Sequence, residues 1–355
     1  MVELDIVERL LGVPADYPRW RIADMANRAK ILPTWLSSVI ARGGSIGSAA
    51  TEYLDRISRR VGTLHRVGAE LAAAHQVSVI KGAKIAHRMP TGLLRNSGDT
   101  DIVAQDQQAL WKCVLDLRER YAAVPQGVNV LSSGESLHVV VAMKWPAEAS
   151  FLDKPMGADI CTCAFCGDMK SVPVRTYLPE DDDLCSLFAV AEERFQRKFS
   201  RKDMLDLVVL ADALDERFGD QLPGLVADTA SQLNLAPELL RLIRKTTEWV
   251  ELPAGWTKVE LALEPAATAE KDRRTKAISG TGIHVSGTGI HRLRFGFPLD
   301  DIPAPDLAVR LHEFGDTHLM STPLGTCLLV DTPTIPAGLI TEATERARSL
   351  SRSGG

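Results

Sequence analysis

From Trp20 to Ile40, and again from Ile46 to Ala74, apolar side chains return every three or four positions, the spacing that lines one face of an α-helix. The second stretch sets Ala50, Leu54, Ile57, Val61, Leu64, Val67 and Leu71 on one stripe, and Gly43-Gly44 breaks the two stretches apart. At Val77 the period changes. Val77-Ser78-Val79-Ile80 is a short β-branched run that closes on Lys81-Gly82, and a helical stretch of ten residues and the turn Pro90-Thr91-Gly92 follow. Thr100 to Val103 reads as a second strand, Gln107 to Arg120 as a helix, and Val128 to Leu131 and Leu137 to Met143 as a strand pair. Residues 76–146 thus predict a small α/β unit. Helical spacing resumes through Leu184 to Phe195, Lys202 to Leu214 and Ala236 to Thr247, and Trp256 to Leu263 reads as a strand opening a C-terminal portion.

The pattern divides into a helical segment over 1–75, an α/β core over 76–178, a second helical segment over 179–250 that packs on the core, and a C-terminal α+β domain over 251–348. The expected fold class is α/β (α+β), with a small mixed sheet, flanking helical segments and the extra C-terminal domain. A length of 355 residues suits two or three domains at roughly 150 residues each. Hydrophobic residues at 45% and charged ones at 25% exclude wholesale disorder, a collagen-like repeat and a disulfide-stapled mini-protein. The 41 basic residues are outnumbered by 46 acidic ones, for a net charge of −5, which weighs against gripping nucleic acid as the main task. No apolar run approaches the ~20 residues of a membrane span. Met1-Val2-Glu3-Leu4-Asp5 lacks the layout of a secretory signal, and six cysteines in so long a chain make no disulfide framework, so a reducing cytoplasm is expected.

Candidate chemistry concentrates in Val79-Ile80-Lys81-Gly82-Ala83-Lys84 and Arg95-Asn96-Ser97-Gly98-Asp99-Thr100-Asp101-Ile102-Val103. Two acids at i and i+2 on a strand point to one face. Carboxylates held side by side repel unless a cation lies between them, so such a pair suits Mg²⁺ or Mn²⁺. The spacing alone carries little weight, since Asp181 and Asp183 share it on what reads as a solvated helix start. Context raises it: a strand closing on glycine, a helix, a glycine turn, then Arg95 and Ser97 just ahead of the two aspartates.

That ordered set resembles the nucleotidyltransferases of the polymerase-β superfamily, and the Arg-x-Ser-x-Asp-x-Asp form is also similar to abortive-infection type nucleotidyltransferase toxins. Leu178-Pro179-Glu180-Asp181 and Arg201-Lys202-Asp203-Met204-Leu205-Asp206-Leu207 are similar to segments in the helical part of both groups, so the resemblance spans about residues 50–215. It implies that residues 76–178 form the nucleotidyltransferase core, that the co-substrate is a nucleoside triphosphate, and that Asp99 and Asp101 are metal ligands. Gly82 would meet the triphosphate, with Lys81 and Lys84 adding positive charge, while Arg95 and Ser97 flank the phosphates or fix the turn. The acceptor is unidentified: a small molecule, a peptide, a protein or tRNA. These enzymes usually carry a third carboxylate on a later strand, where this chain reads Ser136-Leu137-His138. Glu135 beside it, Asp206 on the later helix and His138 as a general base are the candidates for that part of the catalytic set. Two alternatives stand beside a transferase: a protein that binds a nucleotide or a partner without turnover, and a toxin-like enzyme that modifies tRNA.

Three further features do not enter the site. Cys161, Cys163 and Cys166 lack the second knuckle that a four-ligand zinc site requires, and read as a loop or hairpin. The tandem heptads Ile278 to His284 and Val285 to His291 are glycine-rich, yet no Gly-Lys-Ser/Thr follows as in a phosphate-binding loop. Arg273-Arg274-Thr275-Lys276 reads as a solvated basic loop or an anionic-acceptor contact.

Overall fold

The computed structural model describes residues 5–14, 16–133, 136–279, 292–304, 306–332 and 334–353. The helices are α1 (Ile6–Leu11), α2 (Arg19–Arg28), α3 (Leu32–Ala41), α4 (Ser48–Ala74), α5 (Gly82–Ala86), α6 (Gln107–Tyr121), α7 (Asp182–Gln196), α8 (Arg201–Phe218), α9 (Leu222–Gln232), α10 (Ala236–Thr247), α11 (Gly255–Ser279) and α12 (Ala337–Ser353). The strands are β1 (Val77–Ile80), β2 (Thr100–Ala104), β3 (Val124–Ser133), β4 (Ser136–Trp145), β5 (Met156–Cys161), β6 (Arg292–Pro298), β7 (Arg310–Phe314), β8 (Thr317–Thr322) and β9 (Gly325–Val330). Together they make a mixed α/β fold with a central sheet and flanking helices. No described helix is long and apolar enough to cross a membrane.

The chain divides into two compact units, one formed by Met1–Arg66, Val79–Thr100 and Tyr177–Ile283, the other by Val67–Ser78, Asp101–Thr176 and His284–Gly355. The first is helical. The apolar stripe of α4 is buried at Ile57, Val61 and Leu64, as its spacing predicts, and continues to Val67 and Leu71. Helix starts are built by side chains. Asp181 accepts the amides of Asp183 (3.0 Å) and Leu184 (2.9 Å) at the head of α7, and Ser200 with Asp203 forms a capping box on α8. The strand expected over Trp256 to Leu263 is instead the start of α11. Trp256, Val259, Leu263, Ala267 and Glu270 are buried, at helical spacing, whereas Leu261, which an alternating strand would bury with Val259 and Leu263, is 62% exposed. Trp256 Nε1 donates to the Ala211 carbonyl at 3.1 Å and locks that register against α8. The basic run Arg273-Arg274 also lies on α11, where Arg274 pairs with Glu238 and Glu270, each at 2.7 Å.

The second unit holds most of a nine-stranded sheet in the order β1-β2-β5-β4-β3-β6-β9-β8-β7. β3 pairs antiparallel with β4, with a register shift between Pro125 and Gly127, and β5 pairs antiparallel with β4 through Ala142↔Asp159. The stretch read as a loop or hairpin around the cysteines therefore starts as a strand, in which Met156, Ala158 and Ile160 alternate into the core. β6 pairs with β3, so the strands of the C-terminal third continue the same sheet. Leu319 and Leu328 pack there with Ala343 and Ala347 of α12. The tandem heptads lie almost wholly outside the described residues.

Candidate active site

β1 runs into a turn whose backbone is under strain. Lys81 has φ +54° and ψ −132°, a conformation that glycine adopts readily and a side-chain-bearing residue rarely does, and Gly82 follows at φ +32°. A Cβ added at Gly82 would meet open space, so the strand end offers backbone that another molecule can approach. α5 is only five residues long, half of the helix that the sequence pattern suggests. The turn is held from α7: Lys81 Nζ donates to Glu193 Oε1 at 2.6 Å, Lys84 Nζ to Asp182 Oδ2 at 2.6 Å, and Arg88 Nε to Asp183 Oδ1 at 2.9 Å. Asp181 and Asp183 are not a plain solvated helix start, because Asp183 is buried and both also pair with Arg217.

Arg95 is the hub of this unit. Its guanidinium meets Asp206 of α8 through two parallel bonds, Nε to Oδ1 and Nη2 to Oδ2, each 2.7 Å long, and both side chains are buried. This is the fork-to-fork geometry that makes Arg–carboxylate pairs directional. The remaining nitrogen, Nη1, donates to Ser97 Oγ at 3.1 Å and to the Gly82 carbonyl at 3.3 Å. Of the two roles open to Arg95 and Ser97, fixing the turn is the one their contacts serve. Asp206, a candidate third carboxylate, has both oxygens engaged by Arg95.

The rest of the segment is pinned nearly residue by residue. Thr34 Oγ1 donates to the Leu94 carbonyl (2.8 Å) and the Leu94 amide donates to Ser37 Oγ (2.9 Å), both from α3. Arg60 Nη2 reaches the Gly98 carbonyl (3.1 Å) and Thr100 Oγ1 the Leu64 carbonyl (3.3 Å), both from α4. On this clamped backbone Asp99 is exposed, sitting in a bend one residue ahead of β2 rather than on the strand itself.

Lys202 was not singled out by the sequence, although it stands at i, i+4 to Asp206 on α8, a spacing that shares one helix face. It is half-buried and forms no ion pair with a described residue within 4.0 Å. Burial lowers its pKa, with Arg95 pushing the same way, against the opposing pull of Asp206, Asp99 and Asp203. An ammonium so placed can neutralise an incoming anion next to Asp99. Asp203 itself is held below the usual carboxylate range: burial pushes it up, but hydrogen bonds from Arg197 (2.6 and 2.9 Å) and the Ser200 amide (2.6 Å) outweigh that. His65 of α4 stands 6.4 Å from His87 between ring centroids, and its Nε2 is buried with no hydrogen-bond partner among the described residues. Burial first, then the charges of His87 and Arg95, push its pKa down to about 4.

The second unit carries the other candidates. Asp101 lies half-buried on β2. His138 of β4 is half-buried, its Nδ1 is 3.3 Å from the Thr162 carbonyl, and burial lowers its pKa although that hydrogen bond works the other way. A ring that donates from Nδ1 to a carbonyl presents Nε2 as a base. Glu135 lies outside the described residues. Cys163 and Cys166 bring their sulfurs to 3.8 Å, and no group of three or more His, Cys, Asp or Glu among the described residues could hold a metal ion. A Mg²⁺ ion ordinarily keeps several waters and is held by one or two carboxylates together with substrate phosphates, so a pair such as Asp99 and Asp101 fits a cation that arrives with a nucleotide better than a resident one.

No protein-family model and no curated protein matches this chain. Two solved structures superpose on it. One is described as a candidate nucleotidyltransferase from H. pylori, at 14% identity and a TM-score of 0.29, covering 63% of this chain and 97% of that one. The other is JHP933 from Helicobacter pylori, at 12% identity and a TM-score of 0.30, covering 66% and 99%. Superpositions this loose transfer no residue role, and the assignments below rest on the residues of this chain.

Proposed function

We propose that this protein is a divalent-cation-dependent nucleotidyltransferase that moves an NMP from an NTP to an acceptor. The acceptor oxygen attacks the α-phosphorus, the bond from that phosphorus to the bridging oxygen of the β-phosphate breaks, pyrophosphate leaves, and the acceptor proton passes to a base. The reading is carried by the clamped segment from Leu94 to Thr100, whose backbone and buried side chains are tied down while the Asp99 carboxylate is exposed. Asp99 and Asp101 are the ligands for Mg²⁺ or Mn²⁺, which would supply charge neutralisation on the phosphate oxygens. The open backbone at Gly82 takes the triphosphate, Lys202 adds a cation beside Asp99, and Lys81 and Lys84 exchange Glu193 and Asp182 for phosphate oxygens. Arg95 and Asp206 hold Gly82 and Ser97 in place. Rate would come from positioning and fixed charge.

The test is incubation with Mg²⁺ and each labelled NTP, reading pyrophosphate release and label transfer. Asp99→Asn and Asp101→Asn are each expected to lower turnover at least 100-fold with nucleotide still bound, and Lys202→Met to raise KM for the NTP. Pyrophosphate release that survives both Asn variants would remove the assignment. Nucleotide binding with no turnover under any base would instead identify a binding protein.

A further inference from the structure

The first unit contains a cavity of about 410 Å³ formed by α1, α2, α3 and the residues Asp16 and Tyr17 ahead of α2. Its volume falls within the ~300–1,000 Å³ of small-molecule sites. Glu8 of α1 projects into it with its side chain four-fifths buried (19% exposed). The two carboxylate oxygens are treated unequally. Oε1 accepts Trp35 Nε1 at 3.1 Å and an arginine bond from Arg42, whereas Oε2 is buried with no hydrogen-bond partner among the described residues. Leaving a buried carboxylate oxygen unsatisfied costs about 1–3 kcal/mol or more, and Glu8 is one of the residues that line the cavity. The rest of the lining divides in two. Tyr17, Trp35 and the aliphatic Ile22 and Val39 give an apolar body, while Asp16 and Arg19 put one charge of each sign at the exposed side.

We propose that this cavity binds an α-amino acid with an apolar or aromatic side chain. The ammonium group pairs with the Glu8 carboxylate and faces Asp16, the carboxylate meets Arg19, and the side chain lies against the wall that Trp35 and Val39 contribute. Charge supports a zwitterion over a plain anion or cation. Arg42 already offsets Glu8 through Oε1, and Asp16 and Arg19 balance each other, so a ligand with net charge would leave one side chain uncompensated. The site shares no residue with the nucleotide assignment, and binding to it can be read with no NTP present.

The experiment is isothermal titration of the full chain with L-phenylalanine, L-leucine and L-tryptophan, each also as the N-acetyl acid and the C-terminal amide. Saturable binding of at least one free amino acid with Kd below about 1 mM is expected, weakened at least tenfold by N-acetylation and by Glu8→Gln. Because Glu8 also holds Trp35 and Arg42, and Val39 belongs to the core, each variant is first checked by chemical unfolding, and the exposed Arg19 keeps the outcome clear of folding defects. Arg19→Gln, on an exposed side chain, should weaken the acid at least fivefold and leave the amide unchanged. Val39→Phe, which fills the cavity, should abolish both. Absence of binding by all three amino acids, or binding indifferent to Arg19→Gln and Val39→Phe, would overturn the proposal.

Discussion

His65 shows how one side chain can set the acid limit of the protein. Its ring is neutral in the fold because burial and the charges of His87 and Arg95 hold its pKa at about 4 against an ordinary 6.5. In the unfolded chain it protonates near the ordinary value, so below pH 6.5 the unfolded state binds the extra proton and stability falls. The full stability is present above about pH 6.5 and is lost as the pH drops towards about 4; because the ring is only partly buried, solvent screening brings the cost at pH 5 to the order of 1 kcal/mol. Urea unfolding at pH 7.5 and pH 5.0 should show this loss in the wild type and a correspondingly smaller one in His65→Phe, which keeps an aromatic ring and removes the titration. Equal pH dependence in the two proteins would mean that another group governs acid stability. Lys202 makes the converse point. An ammonium whose pKa burial depresses, set beside Asp99, is disposed to take up an anion, which is why its substitution is expected to act on KM.

At the scale of elements, the segment before β2 depends on α8 through one buried pair. Removing one partner of a buried ion pair strands the other, at a typical cost of about 3–5 kcal/mol. Asp206→Asn and Arg95→Lys are both expected to destabilise by that order in chemical unfolding and to disorder the Gly82–Ser97 contacts. A double variant, Arg95→Met with Asp206→Leu, should recover much of the stability and none of the turnover. Stability recovered together with turnover would show that the pair does nothing for the site. Arg95 and Asp206 were each legible as candidate residues in the sequence, but not their union, because 111 residues separate them and no local pattern reports a long-range partner. Local patterns succeeded where burial repeats with one period, as on α4 and through the strands β3 and β4. They failed where two periods coincide: Val259, Leu261 and Leu263 fit an alternating strand, and the exposure of Leu261 beside buried Trp256, Val259 and Leu263 reveals α11. They failed too at β5, whose alternating Met156, Ala158 and Ile160 were masked by the cysteines and glycines that follow. The expectation of two aspartates on one strand was half met, since Asp99 stops a residue short of β2.

For the whole molecule, charge decides which acceptors suit the proposed reaction. The chain carries five more acidic than basic residues, and many of its arginines are already spent on internal acids: Arg274 on Glu238 and Glu270, Arg217 on Asp181 and Asp183, Arg88 on Asp183, Arg197 on Asp203. The basic run on α11 that the sequence offered as an anionic-acceptor contact is among them. A long polyanion gripped by 6–10 phosphate contacts would lose about 10³–10⁵ in affinity between 50 and 200 mM salt as its counterions return. A small acceptor, or one recognised by few charges, would lose far less. Transfer measured at saturating NTP and fixed Mg²⁺, with acceptor held below its KM, is therefore expected to fall less than about tenfold between 50 and 200 mM KCl. A thousandfold fall over the same range would assign the acceptor to nucleic acid and favour a tRNA-modifying enzyme. The experiment needs only an acceptor-active extract at first, because the salt slope counts released counterions whatever the acceptor's name.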